Sequence, residues 1–148
     1  MRRISDLIVF VIQAALIYFV LYFSNANGSI LNNVGLAIFV LLAISIGLKA
    51  MYDMGEKSFA IAPKPPEKSE LVTRGIYSRV RNPMYLSVLI FCTSITIFRF
   101  TLLSLFFLLL LIVFLIVKVH LEERFLAQRF PEYPQYKAST KRFIPHIH

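Results

Sequence analysis

Four apolar runs separated by short polar breaks organise the chain. The first covers Leu7 to Phe23, interrupted only by Gln13, and the second spans about Val34 to Met51, with Lys49 near its inner end. The third opens at Pro83 and reaches Phe98; after Arg99-Phe100-Thr101 a fourth extends from Leu102 to Val117. Crossing a bilayer takes about 20 apolar residues, so these runs predict membrane helices, the last two joined as a hairpin. The expected fold class is all-α: a polytopic membrane helical protein with about four transmembrane helices, in one domain. Its parts are two N-terminal spans (1–52), a cytoplasmic loop (53–82), the hairpin (83–117), and a helix extension with a tail (118–148). The fourth helix continues to Phe130, before Pro131. At about 1.5 Å per residue that is roughly 43 Å, more than the roughly 30 Å of hydrocarbon, so its last turns are expected in the cytoplasm.

Composition agrees. Of the 148 residues, 57% are hydrophobic, against roughly half in soluble domains. Arg2 and Arg3 precede an apolar stretch and Ser24-Asn25-Ala26 loosely resembles a cleavage site, but the stretch exceeds the usual length of about 7 to 15 residues and further runs follow. A retained helix is the expectation. Charge then orients the helices. Of the 16 Lys and Arg, all but Arg99 fall in the N-terminus, the inner end of the second run, the 53–82 segment or the tail, and the loop from Ser24 to Asn33 carries no charge. By the positive-inside rule both termini are expected in the cytoplasm. The net charge of +8 then needs no nucleic acid, because a basic inner face meets anionic membrane lipid. The single Cys92 excludes a disulfide within the chain and a Cys-based metal cluster. Ser87, Thr93, Ser94 and Thr96 in the third run are read as close helix packing.

Two clusters could carry chemistry. At Asn82-Pro83 an N-cap residue precedes a proline suited to the first helical position, and Arg79, Arg81, Tyr77 and Tyr85 surround the junction. A helix N-terminus beside arginines suits an anion; lipid phosphate is the plainer ligand for the same residues. The second cluster is Glu122-Glu123, where the fourth helix leaves its apolar run. Neither glutamate has a cation three or four residues ahead, and only Lys118 lies four behind Glu122. Their partners are therefore expected on other elements. His120 is available as a base one turn before Glu123, although a lone His at a helix exit is usually an interfacial residue. No spacing argues for a metal. The aromatic and basic tail, Phe130 to Tyr136 and Lys141 to Pro145, also suits an interfacial anchor.

Together these segments resemble the membrane methyltransferases that include isoprenylcysteine carboxyl methyltransferases and phospholipid methyltransferases. One motif of that family, Gly-x-Tyr-x-x-x-Arg-His-Pro-x-Tyr, is matched by Gly75-Ile76-Tyr77-Ser78-Arg79-Val80-Arg81-Asn82-Pro83-Met84-Tyr85. The other, Glu-Glu-x-x-Leu-x-x-x-Phe-Gly-x-x-Tyr-x-x-Tyr, is matched from Glu122-Glu123 through Leu126 to Phe130-Pro131; Tyr133 and Tyr136 keep the separation of its two tyrosines, each one residue nearer to Phe130, and the segment closes with Arg142-Phe143-Ile144-Pro145. Asn82 stands where the family has His, and Pro131 where it has Gly. Asn can cap a helix but cannot exchange a proton at neutral pH.

The resemblance implies S-adenosylmethionine as cofactor, held by Gly75, Tyr77, Asn82, Pro83, Tyr85, Glu122 and Glu123. It implies methyl transfer to a lipophilic acceptor entering from the bilayer, an isoprenylcysteine-like carboxylate or a related small lipid. Arg81 and Arg142 are then the expected catalytic pair, holding an anionic acceptor in two places. Two other readings stand beside it: a membrane reductase related to sterol reductases, and a non-catalytic scaffold whose basic face binds lipid.

Overall fold

The computed structural model describes residues 2–25, 27, 29–55 and 70–143. Pro63, Pro65 and Pro66, and the end of the tail from Ile144 through Pro145 to His146 and His148, lie outside them. The described residues form five α-helices: α1 (Arg2–Tyr22), α2 (Ile30–Met54), α3 (Pro83–Phe98), α4 (Leu102–Arg129) and the short α5 (Tyr133–Ser139), with one 3-10 turn, Gly75–Ser78, before α3. Among them there is no strand; the one extended pairing is an isolated parallel bridge, Val80 to Lys141.

Local chemistry sets the boundaries. Ser29 caps α2 by accepting a hydrogen bond from the Asn32 amide at 3.2 Å, so the helix begins ahead of the apolar run and carries Asn32 and Asn33 in its first turn. Gly55, at φ 68°, ends it. Thr101 and Ser104 form a capping box: the Thr101 hydroxyl accepts from the Ser104 amide at 3.0 Å and the Ser104 hydroxyl from the Thr101 amide at 3.2 Å. That pair makes the 99–101 connection tight, and α3 and α4 keep the boundaries expected from sequence. Pro83 opens α3 at its first turn. Asn82 holds the N-cap position, but its side chain makes no capping bond; its amide instead donates to the Arg142 carbonyl at 3.3 Å.

Helix α2 packs along α3 and α1 along α4, while α3 also touches α1 and α4. Val20, Cys92, Leu108, Leu111 and Leu115 form the shared core. Close approach of α2 and α3 rests on small residues. A Cβ at Gly47 would come within 3.2 Å of the Ser87 hydroxyl, and one at Gly35 would press on the Phe98 ring. Ser87 and Ser94 turn their hydroxyls onto carbonyls of their own helix, Met84 and Phe91, each at 2.8 Å, which fits the packing reading of these positions. Outward-facing positions are as apolar as the core: Leu7, Val11, Ile38, Leu41, Leu109 and Val113 are all exposed. Such a surface belongs in lipid.

Helices α2 and α4 are long and apolar enough to cross a membrane; the apolar parts of the other two long helices, Leu7–Tyr22 and Pro83–Phe98, are shorter. One end of the bundle joins the α1–α2 loop to the α3–α4 turn: the Asn25 amide donates to the Arg99 carbonyl at 3.1 Å, Thr101 bonds the Phe23 carbonyl at 2.5 Å, and Arg99 reaches Asn33. At the other end the C-terminus of α2, the 70–82 segment, the end of α4 and the tail come together.

Candidate functional site

The 3-10 turn is fixed to α2 by one carboxylate. Asp53, in the last turn of α2, accepts from the Ile76 amide at 2.7 Å and from Lys49 at 2.6 Å. Gly75 has φ +61°, and a Cβ there would fall on the Asp53 carboxylate. Glycine is therefore required at this position for the backbone and for the close approach alike. Tyr77 follows, buried, with no hydrogen-bond partner for its hydroxyl; its carbonyl accepts from the Tyr136 hydroxyl at 2.7 Å.

The tail then runs alongside this segment. The Arg81 amide donates to the Lys141 carbonyl at 2.8 Å, Lys141 to Arg79 at 3.2 Å, and Asn82 to Arg142 at 3.2 Å. The pairing draws Arg142 up to α4, where Glu123 waits. Its carboxylate, 4% exposed, meets Arg81 Nε at 3.1 Å, Arg142 Nη2 at 2.9 Å and Lys137 Nζ at 3.5 Å. Arg81 also donates through Nη1 to the Lys137 carbonyl at 2.9 Å and to the Thr140 carbonyl, which closes the end of α5. A buried carboxylate is tolerated when cations and hydrogen bonds surround it, and removing it would leave guanidinium groups facing one another. Arg142 keeps about a third of its side chain exposed, whereas Arg81 keeps 9%.

Glu122, one residue earlier on the helix, points to a separate set. It accepts from the Tyr85 hydroxyl at 2.7 Å, with Lys118 four residues behind. Two phenol hydroxyls at this end have no partner among the described residues: Tyr77, and Tyr133 at 1% exposure. Burial, foremost, raises both phenols well above their ordinary range, as it does Tyr136, pushed up to about 12. All three are neutral at physiological pH, available as donors or acceptors.

The residues singled out in the sequence thus meet at one end of the bundle. Arg81, Arg142 and Glu123 share one ion cluster; Tyr85 and Glu122 are bonded; Asn82 holds the Arg142 backbone; Pro83 is buried at the start of α3; Gly75 and Tyr77 form the turn beneath the tail. Both glutamates find their partners on other elements, as their poor pairing within α4 requires. Arg79 and His120 are exposed; Arg79 takes part only through its carbonyl, which accepts from the Lys141 amide, and His120 takes no part in these bonds. Sequence reasoning passed over Asp53, Lys137, Thr140 and the hydroxyl of Tyr133. Only Tyr133 carried a signal, as the first tyrosine of the second motif.

Comparison with curated proteins and with solved structures gave no match to either. The model of the phospholipid methyltransferase family matches residues 30–133, a stretch that contains α2, α3, α4 and both glutamates but stops before Arg142. With most of its length matched, and with the two motifs joined at the charged end of an apolar helical bundle, the chain belongs to the phospholipid methyltransferase family.

Proposed function

We propose that the protein is an S-adenosylmethionine-dependent methyltransferase working at the membrane on a lipophilic acceptor. The observation that carries this reading is the Glu122-Glu123 pair with its surroundings: two carboxylates, one partly exposed guanidinium and two buried, unpartnered phenols within one aromatic-lined end of the bundle. That donor and acceptor set fits an amino acid head group, ribose hydroxyls and a flat base. The four apolar helices form a multi-pass bundle, with both termini and the charged end in the cytoplasm. The acceptor enters sideways from lipid between helices, which their apolar outer faces permit.

Within this reading Glu122, held by Tyr85, accepts from the cofactor's ammonium or ribose hydroxyls. Tyr77 and Tyr133 supply hydroxyls that already lack partners, and the open end of α3 behind Asn82 and Pro83 favours the carboxylate. Bound S-adenosylmethionine supplies an electrophilic methyl on a sulfonium. Arg142, with its side chain partly free, holds an anionic acceptor. Arg81 grips Glu123 and the end of α5, and so holds Arg142 in place as well as adding to the positive field. A carboxylate acceptor would carry its own electron pair, so the residues around it would have no proton to remove. What remains for the protein is alignment and exclusion of water. Asn82, in place of the family's His, is compatible with chemistry that moves no proton.

The test is purified protein incubated with methyl-labelled S-adenosylmethionine and a total membrane extract, with the product then identified. Label is expected in an organic-extractable product, as a methyl ester for a carboxylate acceptor or a methylamine for a headgroup amine. No label in lipid, protein or small-molecule fractions would overturn the assignment.

A further inference from the structure

Lys118 sits at the border between the apolar run of α4 and its charged extension, the position from which a lysine ordinarily extends its stem outward and leaves its ammonium in water. This one turns inward. It is 7% exposed, its Nζ donates to Gln13 Oε1 of α1 at 2.7 Å, and the same nitrogen lies 5.0 Å from the centroid of the Tyr85 ring on α3. Tyr85 in turn donates to Glu122 at 2.7 Å, and Lys118 acts electrostatically on that carboxylate from one helical turn away. Burying an ammonium is costly unless it is paired, so this arrangement persists only because α1, α3 and α4 each contribute to holding it.

Gln13 is the one polar interruption of the first apolar run. It lies outside the residues matched by the family model, and no feature of the site described above uses it. We propose that Lys118 is a positioning residue for the cofactor-facing pair Tyr85 and Glu122, and that Gln13 holds Lys118 in that role, so that α1 sets the geometry of a site built on α3 and α4. The ammonium faces the Tyr85 ring and stands one helical turn behind Glu122, and so sets where these two side chains lie. Neither Lys118 nor Gln13 touches the transferred group.

This inference rests on the S-adenosylmethionine reading, and the experiment separates the two. Calorimetric binding of S-adenosylmethionine to the full-length protein in lipid nanodiscs comes first; no binding by wild type overturns the cofactor assignment and this inference with it. With wild-type binding in hand, Lys118→Met is expected to raise the KM for S-adenosylmethionine about tenfold, the weight of one charge-assisted hydrogen bond, with kcat unchanged. Lys118→Arg, which keeps the cation, is expected to recover most of that loss. Gln13→Leu should move KM in the same direction by less. Leu115→Ala, a core truncation one turn away on α4, serves as the structural control and should lower the melting temperature without moving KM. Unchanged KM in Lys118→Met, or a loss that Leu115→Ala reproduces in the same proportion of KM and kcat, would overturn the role.

Discussion

The two ends of the bundle are built from opposite materials. At the end whose loops carry no charge but Arg99, where α1 meets α2 and α3 meets α4, neutral caps and carbonyls make most of the connections: Ser29 on α2, Thr101 and Ser104 on α4, and Thr101 again on the Phe23 carbonyl, with Arg99 reaching the neutral Asn33. Each bond there is local or joins adjacent loops, and each is worth about 1 kcal/mol. At the charged end the bonds run between distant segments and converge on carboxylates, Asp53 for the 3-10 turn and Glu123 for the tail. A neutral cap does only what the backbone requires. A buried carboxylate among three cations stores electrostatic field that a ligand can draw on, and it collapses if one partner is removed. The contrast is the ground for proposing chemistry at one end and closure at the other.

Replacing Glu123 tests the contrast most severely. In Glu123→Ala, Arg81 and Arg142 lose their shared anion, and a cost of about 3–5 kcal/mol is expected at this end. The four long helices should remain, since their packing lies elsewhere. Far-ultraviolet dichroism should therefore change little, while thermal unfolding begins earlier and methyl transfer is lost. Normal turnover by this variant would remove the ion cluster from the site.

Gly75→Ala comes next. A side chain at φ +61° is strained, and its Cβ would displace the Asp53 carboxylate from the Ile76 amide. A loss of about 2–3 kcal/mol is expected from the backbone and the broken charged hydrogen bond together, read as a lower melting temperature. Weakened S-adenosylmethionine binding should accompany it, because Tyr77 sits on the same turn. Asp53→Asn should share the binding defect in milder form. If Gly75→Ala leaves both quantities unchanged, the turn does not depend on this contact.

At the opposite end, Thr101→Ala should cost about 1 kcal/mol by removing a cap, with the KM for S-adenosylmethionine and kcat left as in wild type. A catalytic defect in this variant would erase the division of labour between the ends.

How much of this could be read beforehand follows the same division. The limits of α3 and α4 were legible because Pro83, the 99–101 break and Pro131 are local signals. The ends of α2 were less so: hydropathy marks where a helix is apolar, whereas Ser29 and Gly55 mark where it starts and stops. That Glu122 and Glu123 needed partners on other elements followed from their neighbours in α4, but which partners did not. Pairing of Val80 with Lys141 joins segments far apart in sequence by backbone bonds alone, and side-chain identity carries no trace of it. For the same reason Arg81, expected at an acceptor, is found holding Glu123 and the end of α5, and Asn82, expected as a side-chain cap, spends its amide on the Arg142 carbonyl.

The finest test of the charged end concerns a neutral group. Tyr136 donates to the Tyr77 carbonyl at 2.7 Å, and burial, foremost, pushes its hydroxyl up to about 12 from the ordinary 10.0. Its proton is thus held more tightly in the folded protein than in the unfolded chain. The stability it contributes is complete below pH 10 and is lost as the pH climbs toward 12, where the unfolded chain ionises first. Tyr136→Phe removes the hydrogen bond at every pH. At pH 8 the wild type should be more stable by on the order of 1 kcal/mol, and that margin should shrink as unfolding is measured at successively higher pH. Tyr77 and Tyr133 titrate in both proteins, and burial is the foremost cause of the shift in each, with Tyr136 a lesser one, so the difference reports chiefly on Tyr136 itself. A margin that stays constant into the alkaline range would mean that Tyr136 is not held neutral by its burial, and that the tail packs less tightly on the 3-10 turn than its hydrogen bonds indicate.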